Sequence, residues 1–299
     1  MPRWNVNADH GETRERLRHK KTKPQGRRSV HDLHESATPG DTPFTDASLN
    51  ALHGMGLLEE LIGELKSGKE ATVYLARSPT RLTRTGLSAV KLYRDLGVRS
   101  FKNDAVYRQG RYIGDDRIEK AIRQRSHTGL AAQETLWVMQ EYAELWTLYQ
   151  AGVPTPRPLV GPDPYEYGKA GKAVLMEFIG DEHGPAPRLS EARLTPREAQ
   201  EAWSQSLDIL AQFLQLGRAH GDYSTYNLLW WEDHVIVIDF PQVVKRDENP
   251  HFDTLLQRDI TSICQSFRRH GITADPQATR RDVQRRARTQ PLKQNLQLP

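Results

Sequence analysis

Apolar and polar residues alternate with a strand-like period at residues 61–65, 71–76 and 88–93, which are separated by Gly- and Pro-containing turns. These segments predict a small antiparallel sheet. Ahead of them, Asp46 is a candidate N-cap for a short helix through Ala51, Leu52 and Met55. Residues 95–130 are charged, and Gly97, Gly110, Gly114 and Gly129 interrupt any long helix there. The period then becomes helical: Trp137, Tyr142, Leu145, Leu148 and Tyr149 share one face of residues 131–150, with Gly152 and Pro154 beyond the end. Two strands are expected after Pro158, the second at residues 173–178. A long helix over residues 196–216 carries Ala202, Trp203, Leu207, Leu210, Phe213 and Leu214, and residues 255–270 read as another. Strands first, then helices around a small strand pair, predict an α+β protein of two lobes with a cleft between them.

Composition qualifies this at the ends. A hydrophobic content of 37% is low for a chain compact throughout. Residues 1–45 carry Arg14, Arg16, Arg18, Lys20, Lys21, Lys23, Arg27 and Arg28 among polar residues, and read as a disordered basic arm. Residues after Asp275 read as a basic, weakly helical tail. The formal net charge of +4 excludes a polycation, so contact with RNA or a ribosomal subunit would fall to these ends, with a merely solvated tail as the alternative. Cys264 is the single cysteine, which excludes an intramolecular disulfide and a cysteine zinc cluster; its apolar helical setting predicts a buried, inert thiol. Neither a bilayer-length apolar run nor a secretory h-region is present, so no membrane partner and a cytoplasmic location are expected.

Candidate chemistry concentrates near residue 230. His220-Gly221-Asp222 is followed by Asn227, and Val235-Ile236-Val237-Ile238 leads into Asp239. Asp222 is placed to orient or deprotonate a hydroxyl, while Asn227 and Asp239 offer hard oxygen ligands to Mg²⁺, the parts of metal-assisted phosphoryl transfer. Singly, each such residue suits a turn or a cap. Upstream, alternation puts Lys91 on the opposite strand face from Val90 and Leu92; a buried ammonium needs a carboxylate, and Glu141 on the 131–150 helix is the candidate. Lys66-Ser67-Gly68-Lys69-Glu70 lies between two predicted strands, where backbone N–H groups could meet phosphates, although it matches neither GxGxxG nor a Walker motif.

Together these segments resemble RIO-type atypical protein kinases, in the manner of their short bacterial-type members. The resemblance runs over about residues 61–275 and rests on Ser67-Gly68-Lys69-Glu70-Ala71, Ala89-Val90-Lys91, the charged insertion through Arg125, and Trp137 with Glu141. It continues through Ala151-Gly152-Val153-Pro154, Leu175-Met176-Glu177-Phe178-Ile179-Gly180, His220-Gly221-Asp222, Asn227 and Ile238-Asp239-Phe240-Pro241-Gln242. It implies an N-lobe with insertion over residues 46–175, a C-lobe over 176–275 and a tail over 276–299. It also implies ATP with Mg²⁺, or Mn²⁺, as cofactors. Lys91 would hold phosphates and pair with Glu141; Ser67 and Lys69 would line the phosphate loop; Val73 and Ala89 would join the nucleotide site. Met176 to Ile179 would form the hinge, with the Glu177 and Ile179 backbone on adenine. Asp222 would be the catalytic base, and Asn227 and Asp239 the metal ligands, with Asp239 also able to accept phosphate in an ATPase-like cycle. The phosphate acceptor would be a protein or the chain itself, and ribosome maturation is the setting of eukaryotic and archaeal relatives. Two departures stand out: the N-terminal arm lacks the look of the winged helix of one subfamily, and Met139 stands where a second glutamate is frequent.

Two other readings share parts of this pattern. A small-molecule phosphotransferase of the aminoglycoside or choline kinase type has the same His-Gly-Asp and downstream Asn, but not the 67–71 loop, the insertion or Pro241-Gln242. A catalytically idle RNA- or ribosome-binding module would not require the full set of catalytic side chains.

Overall fold

The computed structural model describes residues 30–34, 43–68, 70–94, 120, 124 and 126–292. Lys69, the basic residues 14–28 and most of the charged insertion lie outside the described residues. The first lobe is an antiparallel sheet of β1 (Glu60–Ser67), β2 (Ala71–Arg77), β3 (Leu87–Tyr93) and β4 (Ala173–Glu177), in that spatial order. Helices α1 (Val30–His34) and α2 (Ala47–Gly54) precede it, and Asp46 caps α2 by accepting from the Ser48 N–H at 2.8 Å. The pairing register sets what the sheet presents. Val73 lies opposite Lys91 and Ala89 opposite Met176, so these four share one face, while Tyr74 and Val90 on the other face are buried.

The long helix α3 (His127–Gln150) crosses between the lobes. It begins four residues before the expected start: Ser126 accepts the Gly129 N–H at 3.1 Å, so Gly129 lies in a capped first turn and does not break the helix. On its core side Tyr142, Leu145 and Leu148 are buried, and the Tyr142 hydroxyl accepts from the Leu175 N–H of β4 at 2.6 Å. On its other side the buried Glu144 pairs with Arg218 at 3.1 Å, which ties the helix to the second lobe.

After Pro158 only one of the two expected strands forms. Pro158 makes a lone bridge with Met176, and Gly161-Pro162 ends the pairing. Asp163 then caps the short helix α4 (Pro164–Lys169). The second lobe follows: hairpin β5 (Gly180–Asp181) and β6 (Gly184–Pro185), helix α5 (Pro196–Gln215), β7 (Arg218–Ala219), hairpin β8 (Leu228–Trp231) and β9 (His234–Val237), β10 (Val244–Lys245), and helix α6 (Phe252–Ser266). Thr195 and Glu198 close a capping box on α5, with Pro196 at its first position.

At both ends, described residues pack onto the core. Within the expected arm, Leu33 of α1 and Phe44 are buried in the core. The expected tail is the helix α7 (Pro276–Thr289), capped by Asp275, with Val283 fully buried. Polar contacts fasten it: Arg286 reaches Asp208 of α5 at 2.6 Å, and Arg280 reaches Asp253 of α6 at 2.8 Å. Among the described residues, no helix is long and apolar enough to cross a membrane, and Cys264 is free and buried as expected. If α7 is part of the second lobe, Val283→Ala should cost about 2 kcal/mol in urea unfolding while exposed Arg288→Ala stays within about 0.5 kcal/mol. Equal, negligible effects would mean that the helix is an appendage.

Candidate active site

Between the lobes lies a cavity of about 650 Å³. Its apolar wall includes Val73, Ala89, Met176, Ile179, Leu229 and Ile238, and Lys91, Glu141 and Asp239 also line it. This is the composition of a site that takes a flat apolar group at one place and binds charge at another.

The charged group is built from three distant segments. Lys91 of β3 is buried, and its Nζ meets Glu141 Oε1 of α3 at 2.7 Å and Asp239 Oδ1 at 2.6 Å. Tyr93, two residues along the strand and on the same face, donates its hydroxyl to Glu141 Oε2, so both oxygens of that buried carboxylate are engaged. Burial alone would drive the Lys91 pKa down, but the Asp239 and Glu141 carboxylates reverse this and raise it well above its ordinary value. Asp239 is the mirror case: burial opposes its charge, and Lys91 nevertheless holds it below the usual carboxylate range. Asp239 follows β9 with φ 73, a left-handed backbone that few non-glycine residues adopt. That turn ends the strand and leaves the Asp239 side chain 44% exposed on the cavity wall.

Asp222 and Asn227 occupy the adjoining loop and do not line the cavity themselves. The Asn227 amide Nδ2 donates to Asp222 O at 2.9 Å and to Asp222 Oδ2 at 3.0 Å, bonds that leave Asn227 Oδ1 as its acceptor atom. The Ile238 N–H donates to Asn227 O at 3.0 Å, joining this loop to the Asp239 segment. Burial raises the Asp222 pKa; the Asn227 bond opposes the rise and the nearby Asp239 charge adds to it. A carboxyl with a raised pKa, held by an amide beside a second carboxylate, suits proton transfer.

His220 clamps the two loops. Its Nδ1 accepts the Asp222 N–H at 3.3 Å, so Nε2 carries the proton that faces Ile238 O at 3.2 Å. That neutral tautomer agrees with its setting among Phe213, Tyr223 and Phe240, where burial pushes its pKa down to about 4. Asp259 of α6 completes the support: it accepts from the Gly221 N–H at 2.8 Å and the Tyr223 N–H at 3.0 Å, and burial lifts its pKa to about 6. Sequence reasoning passed over Asp259 and Tyr93. The signal for Asp259 was a carboxylate on the apolar stripe of Leu255, Leu256, Ile260 and Ile263; Tyr93 had none beyond sharing the parity of Lys91.

Of the other sequence candidates, Val73, Ala89, Met176, Glu177 and Ile179 line the cavity. Ser67 does not; its hydroxyl accepts from Arg94 and contacts Thr72. At the hinge, the Glu177 N–H donates to Arg157 O at 2.8 Å and Ile179 O accepts from the Ala186 N–H at 3.0 Å. Gly180, with φ 145, has no room for a side chain, since a Cβ would stand 2.4 Å from Gly184 O.

Among the described residues, no three His, Cys, Asp or Glu side chains gather into a self-sufficient metal site. The hard oxygens of Asp239 and Asn227 Oδ1 are the groups of the site that could hold a cation such as Mg²⁺.

Two lobes, an apolar cavity and a buried Lys–Glu pair beside a strained Asp define a protein-kinase-like class. A family model described as RIO domain matches residues 72–280, and the chain belongs to that family. It is 27% identical over 248 residues to serine/threonine-protein kinase RIO3 of Homo sapiens, covering 80% of this chain and 44% of the relative. It is 29% identical over 235 residues to RIO-type serine/threonine-protein kinase Rio1 of Haloferax volcanii, covering 78% of this chain and 72% of the relative. Against serine/threonine-protein kinase rio1 of Schizosaccharomyces pombe the identity is 30% over 248 residues, 81% of this chain and 45% of the relative. The chain thus spans less than half the length of the human and fission-yeast relatives.

The His220 clamp carries a pH signature. Its pKa is about 4 folded against the ordinary 6.5 of a free imidazole, so its contribution is present above pH 6.5 and lost as the pH falls through 4. Asp259 runs the other way, contributing at low pH and losing that contribution as the pH rises through about 6, so the comparison must isolate His220. Relative to His220→Phe, the wild type should lose about 3 kcal/mol of unfolding free energy across that window. Parallel pH profiles for the two proteins would show that His220 is not held neutral.

Proposed function

We propose that the chain catalyses ATP-dependent phosphoryl transfer as a RIO-type serine/threonine kinase, an ATPase, or both. The observation that carries this reading is the meeting of Lys91, Glu141 and Asp239 on the wall of an apolar cavity, with Asp222 and Asn227 in the loop bonded to the Asp239 segment. Adenine would occupy the wall of Val73, Ala89 and Met176, with the Glu177 carbonyl and the Ile179 N–H as its hinge partners. Lys91, kept oriented by Glu141, would hold phosphate oxygens. Asp239 and Asn227 Oδ1 would hold Mg²⁺, or Mn²⁺, which when bound neutralises phosphate charge. Asp222 would accept the proton of an attacking hydroxyl, that of a protein, of the chain itself or of water.

The small-alcohol alternative keeps only the Asp222–Asn227–Asp239 part of this arrangement, and the family membership weighs against it. For a ribosomal-subunit or RNA partner in a cytoplasmic setting, the supporting observation is that Arg281, Arg285 and Arg288 are exposed on α7 at helical spacing.

In an assay of ATP turnover and autophosphorylation, run with and without ribosomal subunits, Asp222→Asn should lower kcat by about 10²–10⁴ with nucleotide binding retained. Lys91→Ala should cost about 10²–10³ in kcat/KM, and Asp239→Asn should abolish Mg²⁺-dependent turnover. Full activity in the Asp239 variant would sink the metal assignment, and phosphate transfer to small alcohols without autophosphorylation would favour the alternative. Borohydride trapping followed by mass spectrometry separates a phosphorylated Asp239 from direct transfer to a hydroxyl.

A further inference from the structure

Three cations among the described residues line the cavity: Lys66, Lys91 and Arg188. Lys91 is already matched by two carboxylates at 2.6 and 2.7 Å, so it adds little net positive charge. The other two differ. Lys66 is the penultimate residue of β1 in the first lobe. Arg188 follows β6 and is fixed to the second lobe by its bridge with Leu229 and by the Leu189 N–H bond to Leu228 O at 2.8 Å. Among the described residues, neither side chain forms an ion pair. They do sense each other: the Lys66 pKa is lowered first by burial and then by the Arg188 charge, against the opposite pull of Glu191 and Asp239. Arg188 also helps to hold the Asp239 carboxyl low. Both cations therefore line the cavity that Lys91 and Asp239 also line, one from each lobe.

Two like charges facing each other across a cleft repel, and a polyanion between them converts that repulsion into two attractions. The wall also carries Glu70, Glu177 and Glu191, which repel an incoming anion, so its uncompensated cations decide how strongly phosphate charge is rewarded. We propose that Lys66 and Arg188 form a cross-cleft clamp on the nucleotide polyphosphate, through which the site ranks nucleotides by phosphate number. The clamp rests on the nucleotide reading above and adds two binding residues to it.

Isothermal titration of the full chain with adenosine, ADP and ATP in Mg²⁺ tests the clamp. Lys66→Ala/Arg188→Ala should weaken ATP binding at least about tenfold, ADP by less, and adenosine by under about twofold, with a flatter dependence of ATP affinity on salt. Lys66→Ala alone, at an exposed position, should give part of the loss, and Arg188→Lys should recover most of the double variant's deficit when restored with Lys66. Unchanged ATP affinity in the double variant would overturn the clamp, as would an equal loss for all three ligands, which marks a general defect of the cavity. A wild type that binds adenosine as tightly as ATP would overturn the clamp while leaving the cavity assignment standing. A wild type that binds none of the three would remove the nucleotide reading itself.

Discussion

One buried ammonium holds the site together. Lys91 meets Glu141 from α3 and Asp239 from the segment after β9, so a single charge joins the sheet, the crossing helix and the second lobe. Removing Lys91 would leave the buried Glu141 carboxylate without its counterion and close to a second carboxylate, a cost of about 3–5 kcal/mol. Around this node Tyr93 occupies the second oxygen of Glu141, and Glu144 a turn further on pairs with Arg218. Those bonds fix where α3 can sit, and with it the width of the cleft.

The second lobe reaches the same point by backbone accounting. Turn residues 221–227 carry N–H groups that no strand or helix satisfies, and buried side chains take over that task. Asp259 accepts two of them, His220 accepts a third, and Asn227 ties the Asp222 carboxylate to its own loop. A neutral, buried His220 is therefore a structural requirement of the loop, while its neighbour Asp222 is left half-solvated with a pKa raised mainly by burial.

Where apolar periodicity organises the chain, the fold was legible. The strands around Lys91 and the helix α5 fall within two residues of their expected limits, because β-alternation and the apolar stripe of a helix are local signals. The Lys91–Glu141 pair was also readable, since a lysine in an apolar strand demands a carboxylate. What escaped is held by polar contacts between distant residues. Helix α7 buries only Thr279 and Val283 and is fastened by Arg280 and Arg286, so its sequence looks like a solvated basic tail. Likewise Lys66 and Arg188 line one cavity only because β1 and the segment after β6 border it from different lobes, which no local pattern encodes.

Linkage follows from sharing an atom. Lys91 holds Asp239 by Oδ1, the same kind of oxygen that a metal ligand must offer. A cation taken up at Asp239 competes with Lys91 for that carboxylate, and an anion brought to Lys91 competes with Asp239 for the ammonium. Each competition weakens the internal pair, so binding of the two charges together is favoured over binding of either alone. Glu141, buried and bonded by Tyr93, would keep Lys91 in place during such an exchange. On the proposed reading, the internal ion pair would make the site respond to a metal–phosphate unit as a whole.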